Sequence, residues 1–337
     1  MKAGRAAVAL LAAAALAAAG TLALWERALL PAREAAAPAV FQVPRGASLS
    51  AIARDLEAAG IVRSARAFAW LARLRGHAER LHAGEYDLSP AWSSREILGR
   101  IVAGRVKTYD VVLPEGLRVE EVAARLAEAR LVDAEAFVAF TRDPASAQAL
   151  GVEGPTLEGY LFPETYSLPR GLAVREVAAV MVGQFLAVWR EIEPAARTRG
   201  MDMRQVATLA AIVEKETAIP DERALIAGVF HNRLRLGMRL ESDPTTIYGI
   251  PDFDGNLRRT HLEDARNPYN TYKIEGLPPG PIANAGAESL RAVAEPAETD
   301  YLFFVSRNDG THVFSRSFSE HAANVGRYQA KKRSAPR

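Results

Sequence analysis

The sequence predicts an α+β protein in three parts: an apolar N-terminal helix, a duplicated small α/β module, and a loop-rich mixed α+β domain. Three observations carry this. An uncharged run extends from Ala6 to Trp25. A strand–turn–helix pattern occurs twice, beginning at Val43 and at Leu113. Beyond about residue 150 the chain becomes rich in irregularly spaced Gly, Pro, Asn, Tyr and Thr, broken by helical stretches. A length of 337 residues suits two or three domains. The hydrophobic fraction of 49% and charged fraction of 24% are globular values, and a net charge of +2 gives no argument for nucleic acid. The chain has no cysteine, which excludes disulfides, thiolate metal sites and a cysteine nucleophile.

Residues 1–27 read as a cytoplasmic N-terminus and a single transmembrane anchor. Lys2 and Arg5 precede the uncharged run, so the N-terminus stays inside and the remainder is exported, with Trp25 at the far interface. A cleaved signal peptide with a site near Ala19 is the alternative. The run is long for a signal segment and continues through Leu22, Leu24 and Trp25, which favours the anchor. Residues 28–38, with Pro31 and Pro38, read as a linker that lifts the folded part off the membrane.

Residues 39–150 hold the duplication. Val43-Pro-Arg-Gly46 is followed by Leu49, Ile52, Ala53, Leu56, Ile61 and Val62. Leu113-Pro-Glu-Gly116 is followed by Val119, Val122, Ala123, Leu126, Leu131 and Val132. Each copy predicts a strand, a turn and an amphipathic helix, with Ser48 and Ser50 as candidate caps. Between them, Ala83–Leu88 predicts a turn and strand. Ser93 to Glu96 has capping-box spacing at a helix start. The pattern resembles a LysM-like module, a fold associated with glycan binding; a spacer without ligand is the alternative. In residues 151–330, helices are predicted at about 175–197, 204–217, 221–236 and 286–294. Tyr301–Val305 and His312–Phe314 predict two strands joined by an Asn-Asp-Gly turn at 308–310. The tail from Lys331 is basic.

The helix over 205–217 is the most informative. At about 100° per residue, Val206, Leu209, Ile212 and Val213 form one apolar face, and Glu216 projects from its middle. Glu214 and Lys215 point away from it. A carboxylate on an apolar face is costly to ionise, so its pKa rises and it can hold a proton near neutrality, as a general acid must. Taken alone, the residue could equally be a helix-end glutamate with its head in water.

Other segments combine aromatic and polar groups: Glu158–Tyr166, Glu214–Thr217, His231–Met238 running into Ser242–Tyr248, and Asn267–Tyr272 followed by Gly276–Ile282. Aromatic faces stack on sugar rings, while amides and carboxylates serve hydroxyl and N-acetyl groups. Singly, each segment could be structural.

Together these segments resemble the endolytic murein transglycosylases, the YceG-like or MltG-like family, over nearly the whole chain. The resemblance implies a catalytic domain with a lysozyme-like catalytic helix. Glu216-Thr217 looks like the Glu-Ser motif of lysozyme-like lytic transglycosylases, and Tyr269-Asn270 is similar to the Tyr-Asn motif lining those clefts. It implies cleavage of the β-1,4 bond between N-acetylmuramic acid and N-acetylglucosamine. Glu216 would be the single acid/base, leaving a 1,6-anhydromuramoyl end. It further implies no cofactor, residence in the cytoplasmic membrane, peptidoglycan glycan strands as substrate, and work beside peptidoglycan synthases (penicillin-binding proteins) in terminating strands.

A hydrolase needs a second carboxylate; Glu164, Asp243 and Glu241 are the candidates. Asp243 precedes Pro244 and could be scaffold. Asn270 is a candidate binder of an N-acetyl or muramoyl group. Tyr269, Tyr272 and Tyr166 are candidate sugar platforms, and Glu214 and Thr217 neighbours of the acid. A glycan-binding scaffold without catalysis is the remaining alternative. The six histidines show no metal-ligand spacing, so no metal is expected; His312 and His321 are expected to make structural hydrogen bonds.

Overall fold

The computed structural model describes residues 2–329. The basic tail expected from Lys331 lies outside the described residues. The architecture is mixed α+β, as the sequence predicts, and its contacts divide it into two compact units. One comprises residues 1–109 with 169–171, the other residues 110–168 with 172–337. The division falls after Tyr109 and not near residue 150, so each copy of the repeat belongs to a different unit.

In the first unit, α1 (Lys2–Leu29) is one continuous helix. Its stretch Leu10–Leu29 is long and apolar enough to cross a bilayer. The end of α1 is built into the folded module. Leu29 is 1% exposed within the hydrophobic core, with Trp25 and Ala28 packed against it. Arg95 donates to both carboxylate oxygens of Glu26, at 2.7 and 2.8 Å. The following segment is tied down as well. Arg63 donates to the Pro31 carbonyl at 2.6 Å, the Arg33 amide to the Pro90 carbonyl at 3.0 Å, and Ser89 to the Ala36 carbonyl at 2.7 Å. Residues 28–38 are therefore not the free spacer expected from their Pro and Ala content.

The module itself runs β1 (Ala39–Val43), α2 (Leu49–Ala58), α3 (Ala65–Leu74), β2 (Gly84–Leu88), α4 (Ser94–Val102). β1 and β2 pair antiparallel, from Ala39 opposite Leu88 to Val43 opposite Gly84. Alternation buries Phe41 and Val43 from one strand and Tyr86 and Leu88 from the other. Ser48 caps α2 by accepting from the Ala51 amide, whereas Ser50 lies inside the helix. The Ser93–Glu96 capping box forms as its spacing predicts.

The second unit repeats the pattern. β3 (Thr108–Leu113), α5 (Val119–Glu128), α6 (Ala134–Arg142), α7 (Pro144–Ala149) and β4 (Glu164–Pro169) follow one another, with β3 paired to β4. Gly116 takes φ +79°, a left-handed turn closed to most residues, and frees the chain to enter α5. The helical layer comprises α8 (Val174–Thr198), α9 (Met203–Glu216), α10 (Pro220–Arg235), α11 (Asp243–Tyr248), α12 (Arg259–Glu263) and α13 (Ala287–Ala294). The hairpin β5 (Phe303–Ser306) and β6 (His312–Ser315) and the unanticipated helix α14 (Phe318–Tyr328) complete it.

α9 is the central element, packed against α8, α10, α11 and α13. The Asp202–Gln205 capping box starts it. Val206, Leu209, Ile212 and Val213 are 0% exposed, each contributing about 1.5–3 kcal/mol by burial. Ala207, Ala210 and Ala211 are buried too, so the helix is enclosed nearly all round rather than on one face. It stops at Glu216 because Thr217 turns to extended backbone, and Ile219 is held extended ahead of Pro220, which opens α10.

Candidate active site

Glu216 sits at the C-terminal end of α9, half-buried, on a cleft of about 620 Å³ that is also lined by Pro114, Glu115, Gly116, Glu214, Lys215 and Arg223. Burial pushes its carboxyl up to about 7. The Asp243 charge pushes the same way, while a hydrogen bond from Ser242 and the Arg233 charge pull it down. The negative end of the α9 dipole also disfavours the carboxylate. Ser242 Oγ donates to Glu216 Oε1 at 2.5 Å. A carboxyl balanced near neutrality can give up a proton and take one back without a second titrating partner.

Ser242 is fixed from three sides. Its amide donates to Thr271 Oγ1 at 2.9 Å, and its carbonyl accepts from Thr245 at 2.7 Å. The preceding loop is clamped by Arg233, which is 7% exposed and donates to the carbonyls of Arg239, Leu240 and Leu302 at 2.9, 3.0 and 2.7 Å. Its fourth contact, to the Glu241 carboxylate at 3.1 Å, holds a non-glycine residue at φ +53°. Glu241 thus spends its charge on Arg233 and is not a free second carboxylate.

Asp243 opens α11, is exposed, and accepts from the Tyr272 hydroxyl at 2.7 Å. Burial and that bond hold the Tyr272 phenol protonated well above the ordinary range, with the Glu216 charge adding to the effect. Glu216, Ser242, Asp243 and Tyr272 therefore form one constellation. Glu164 stands apart on β4, exposed, with its carboxylate on the Thr165 amide at 3.0 Å.

Glu214 points away from the apolar face, as the helical wheel places it, yet not into solvent. Its side chain is 6% exposed, accepts from the Gly286 amide at 3.0 Å and faces Arg223 at 3.5 Å. Arg223 reaches Glu115 at 3.3 Å, and its buried Nε has no partner. Burial, then the Glu214 charge, raises Glu115 above the usual carboxylate range. A Cβ on Gly286 would fall on the Glu115 carboxylate, so any side chain there would push Glu115 aside.

Burial leaves two of the expected sugar contacts, Tyr166 and Asn270, without an open face. Tyr166 is 4% exposed and donates to the Phe162 carbonyl at 2.7 Å, so it is core rather than a platform. Asn270 is fully buried. Its amide donates to the carbonyls of His261, Leu262 and Asp264, and its oxygen accepts from Thr246 and the Tyr272 amide. Every polar position is spent on shaping the loop, which leaves none for a ligand. Thr217, the expected neighbour of the acid, lines the same cleft, is 4% exposed and faces Glu222, which in turn bonds His312 at 2.7 Å. Tyr269 is half-buried and pairs with Tyr248, ring centres 4.7 Å apart. His312 makes the expected structural bond. His321 does not: it stacks on Phe303 at 5.2 Å and its buried Nδ1 has no partner. Among the described residues no His, Cys, Asp or Glu group is arranged to hold a metal.

Sequence reasoning missed Arg223 and Glu115 at the cleft, and held Ser242 and Arg233 only within longer segments, without a role. The same is true of Glu158, whose burial raises it to about 8 and which contacts the Val119 amide, the Tyr248 hydroxyl and Asn284.

A model of the YceG-like family matches residues 41–327. The chain belongs to that family. A Bacillus subtilis relative named endolytic murein transglycosylase is 30% identical over 308 residues, covering 87% of this chain and 85% of the relative. A Streptococcus pneumoniae protein of the same name is 26% identical over 322 residues, and the match spans 57% of its length. Among solved structures, a YceG-like protein from Listeria monocytogenes is 29% identical with a TM-score of 0.58, covering 85% of this chain and 98% of that one. The YceG-like match takes in the cleft and all four groups of the Glu216 constellation.

Proposed function

We propose that this chain is a membrane-anchored endolytic peptidoglycan transglycosylase in which Glu216 is the single general acid/base. The observation that carries the reading is the Glu216 carboxyl, poised at about 7 on a cleft and addressed by Ser242. The names of its relatives supply the substrate class. Protonated Glu216 gives its proton to the glycosidic oxygen as the C1–O bond breaks. The resulting carboxylate takes the proton of the muramoyl C6 hydroxyl, whose oxygen closes onto C1. The product is a 1,6-anhydromuramoyl end, and no water enters. Because the attacking hydroxyl belongs to the substrate, its effective concentration is high and no second carboxylate is required. Tyr272 and Asp243 flank the acid, and Tyr269 with Tyr248 offers aromatic surface for sugar. The β1-α2-α3-β2 module is the LysM-like element, and α1 is a single-pass anchor with its N-terminus in the cytoplasm. In the cell this activity cuts nascent strands beside the synthases that extend them.

A hydrolytic reading has one observation in its favour: the Asp243 carboxylate is exposed and acts electrostatically on Glu216. Mass spectrometry of fragments released from sacculi by the full chain and by Glu216→Gln separates the two. Ends lighter by one water, present with the parent and absent with the variant, support the transglycosylase. Reducing ends carrying water overturn it in favour of a hydrolase. Retained glycan binding with no cutting by either protein would favour a scaffold.

A further inference from the structure

α3 buries one side in the module and presents Arg66, Trp70, Arg73 and Leu74 as a single stripe on the other. Trp70 is 60% exposed and Leu74 65%. Both border an open apolar hollow of about 750 Å³ that they share with Leu22 and Trp25 of α1. Next to it, a slot of about 200 Å³ between α2 and α3 is lined by Arg54, Arg66 and Arg73. A contiguous apolar patch rimmed by cations marks an interaction surface.

The path of α1 identifies the occupant. If Ala6 to Trp25 fills a hydrocarbon core of about 30 Å at ~1.5 Å per residue, Trp25 stands at the membrane interface. There is no slack beyond it, because Trp25, Ala28 and Leu29 are packed into the module and Arg95 grips Glu26. Trp70 and Leu74 share the hollow with Ala18, Thr21, Leu22 and Trp25, so they stand between the interface and about 10 Å beneath it. Tryptophan suits the headgroup boundary, and arginines beside it suit lipid phosphates. We propose that the exposed face of α3 docks on the anionic bilayer from which α1 emerges, with Trp70 and Leu74 in the interface and Arg54, Arg66 and Arg73 on headgroup phosphates. This rests on the anchor reading above. It makes the first module a membrane-seated foot rather than a domain held off on a tether.

The absence of native cysteine makes the test direct. Leu16→Cys, Glu57→Cys, Trp70→Cys and Leu74→Cys are introduced singly into the full chain. Each is spin-labelled in nanodiscs containing phosphatidylglycerol, and its accessibility to oxygen and to a water-soluble nickel chelate is compared. The expected result is lipid-like accessibility at 16, interfacial accessibility at 70 and 74, and aqueous accessibility at 57. A label at 16 in lipid with 70 and 74 as aqueous as 57 overturns the docking face and leaves the anchor standing. An aqueous label at 16 overturns the anchor and the docking face with it. Replacing phosphatidylglycerol by phosphatidylcholine, or combining Arg66→Glu with Arg73→Glu, is expected to raise chelate accessibility at 70 severalfold. Unchanged accessibility would overturn the headgroup contacts.

Discussion

Glu216→Gln should stabilise the protein at alkaline pH while abolishing glycan cutting. The folded-state carboxyl stands at about 7 against an ordinary value of 4.5. A group raised in the folded state contributes stability that is fully present below its unfolded value and is lost as pH rises through its folded value. The folded protein therefore loses stability between about pH 4.5 and 7, as Glu216 is forced to ionise on a buried site. At about 1.4 kcal/mol per pH unit that loss is ~3 kcal/mol, and the part of the side chain open to the cleft brings it to about 2–3 kcal/mol. Glutamine keeps the shape and can still accept from Ser242, but never ionises. The variant should match the parent near pH 4.5 and exceed it by about 2–3 kcal/mol at pH 8, or roughly 3–4 °C in midpoint. Denaturant unfolding of both full chains in detergent, followed by far-ultraviolet circular dichroism at several pH values, reads the difference. Glu158 titrates in both proteins and cancels. A difference independent of pH between 4.5 and 8 would refute the claim that Glu216 is a proton-holding buried acid.

Other expectations follow from single contacts. Ser242→Ala removes the bond that lowers Glu216, so the pH profile of glycan cutting should move up by about one unit, the worth of one such bond; an unmoved profile would separate Ser242 from the acid. Asn270→Ala should cost about 2–4 kcal/mol of stability by stripping a saturated buried amide, with KM unchanged in the folded fraction; a raised KM at unchanged stability would restore Asn270 as a sugar ligand. Arg233→Met leaves the Arg239–Glu241 loop unclamped and should lower stability by about 3 kcal/mol or more and kcat with it. Asp243→Asn should leave the mass of the released ends as in the parent; a change in product would make Asp243 a participant in the bond-breaking step.

The two-copy pattern was legible because a period of hydrophobic residues and a Pro-x-Gly turn are local signals. Both copies fold to a strand, a pair of helices and a partner strand, with the short α7 added in the second. The position of Glu216 at the edge of the cleft was legible for the same reason: it breaks the apolar stripe of its own helix. Its partner was not, since Ser242 lies 26 positions away and meets it through the loop held by Arg233. The partner of Glu214 was not legible either, because a helical wheel knows one helix only, and Gly286, 72 positions on, supplies the amide that it accepts from. Asn270 was misread for a different reason. An amide between tyrosines suits a sugar or a loop core equally well, and only the tally of its partners decides. The segment 28–38 looked like a tether because Pro and Ala carry no fold signal, yet Arg63, Ser89 and the Pro90 carbonyl bind its backbone.

Glu158 shows why a perturbed carboxyl does not by itself mark the reacting group. It is raised to about 8, further than Glu216 at about 7, and burial is the leading cause in both. Glu158 is 5% exposed and is surrounded by the Val119 amide, Tyr248 and Asn284. It has no opening through which a substrate oxygen could approach, so its proton serves only to keep a core site neutral. Glu216 meets fewer protein groups, one of its oxygens being addressed by Ser242, and it opens onto the cleft. Protein contacts already satisfy the first carboxyl; the second retains access to a partner that the protein does not provide. On that ground Glu216, not Glu158, is the group we propose as the acid, and Glu158→Gln should be tolerated in glycan cutting to the extent that the core still folds.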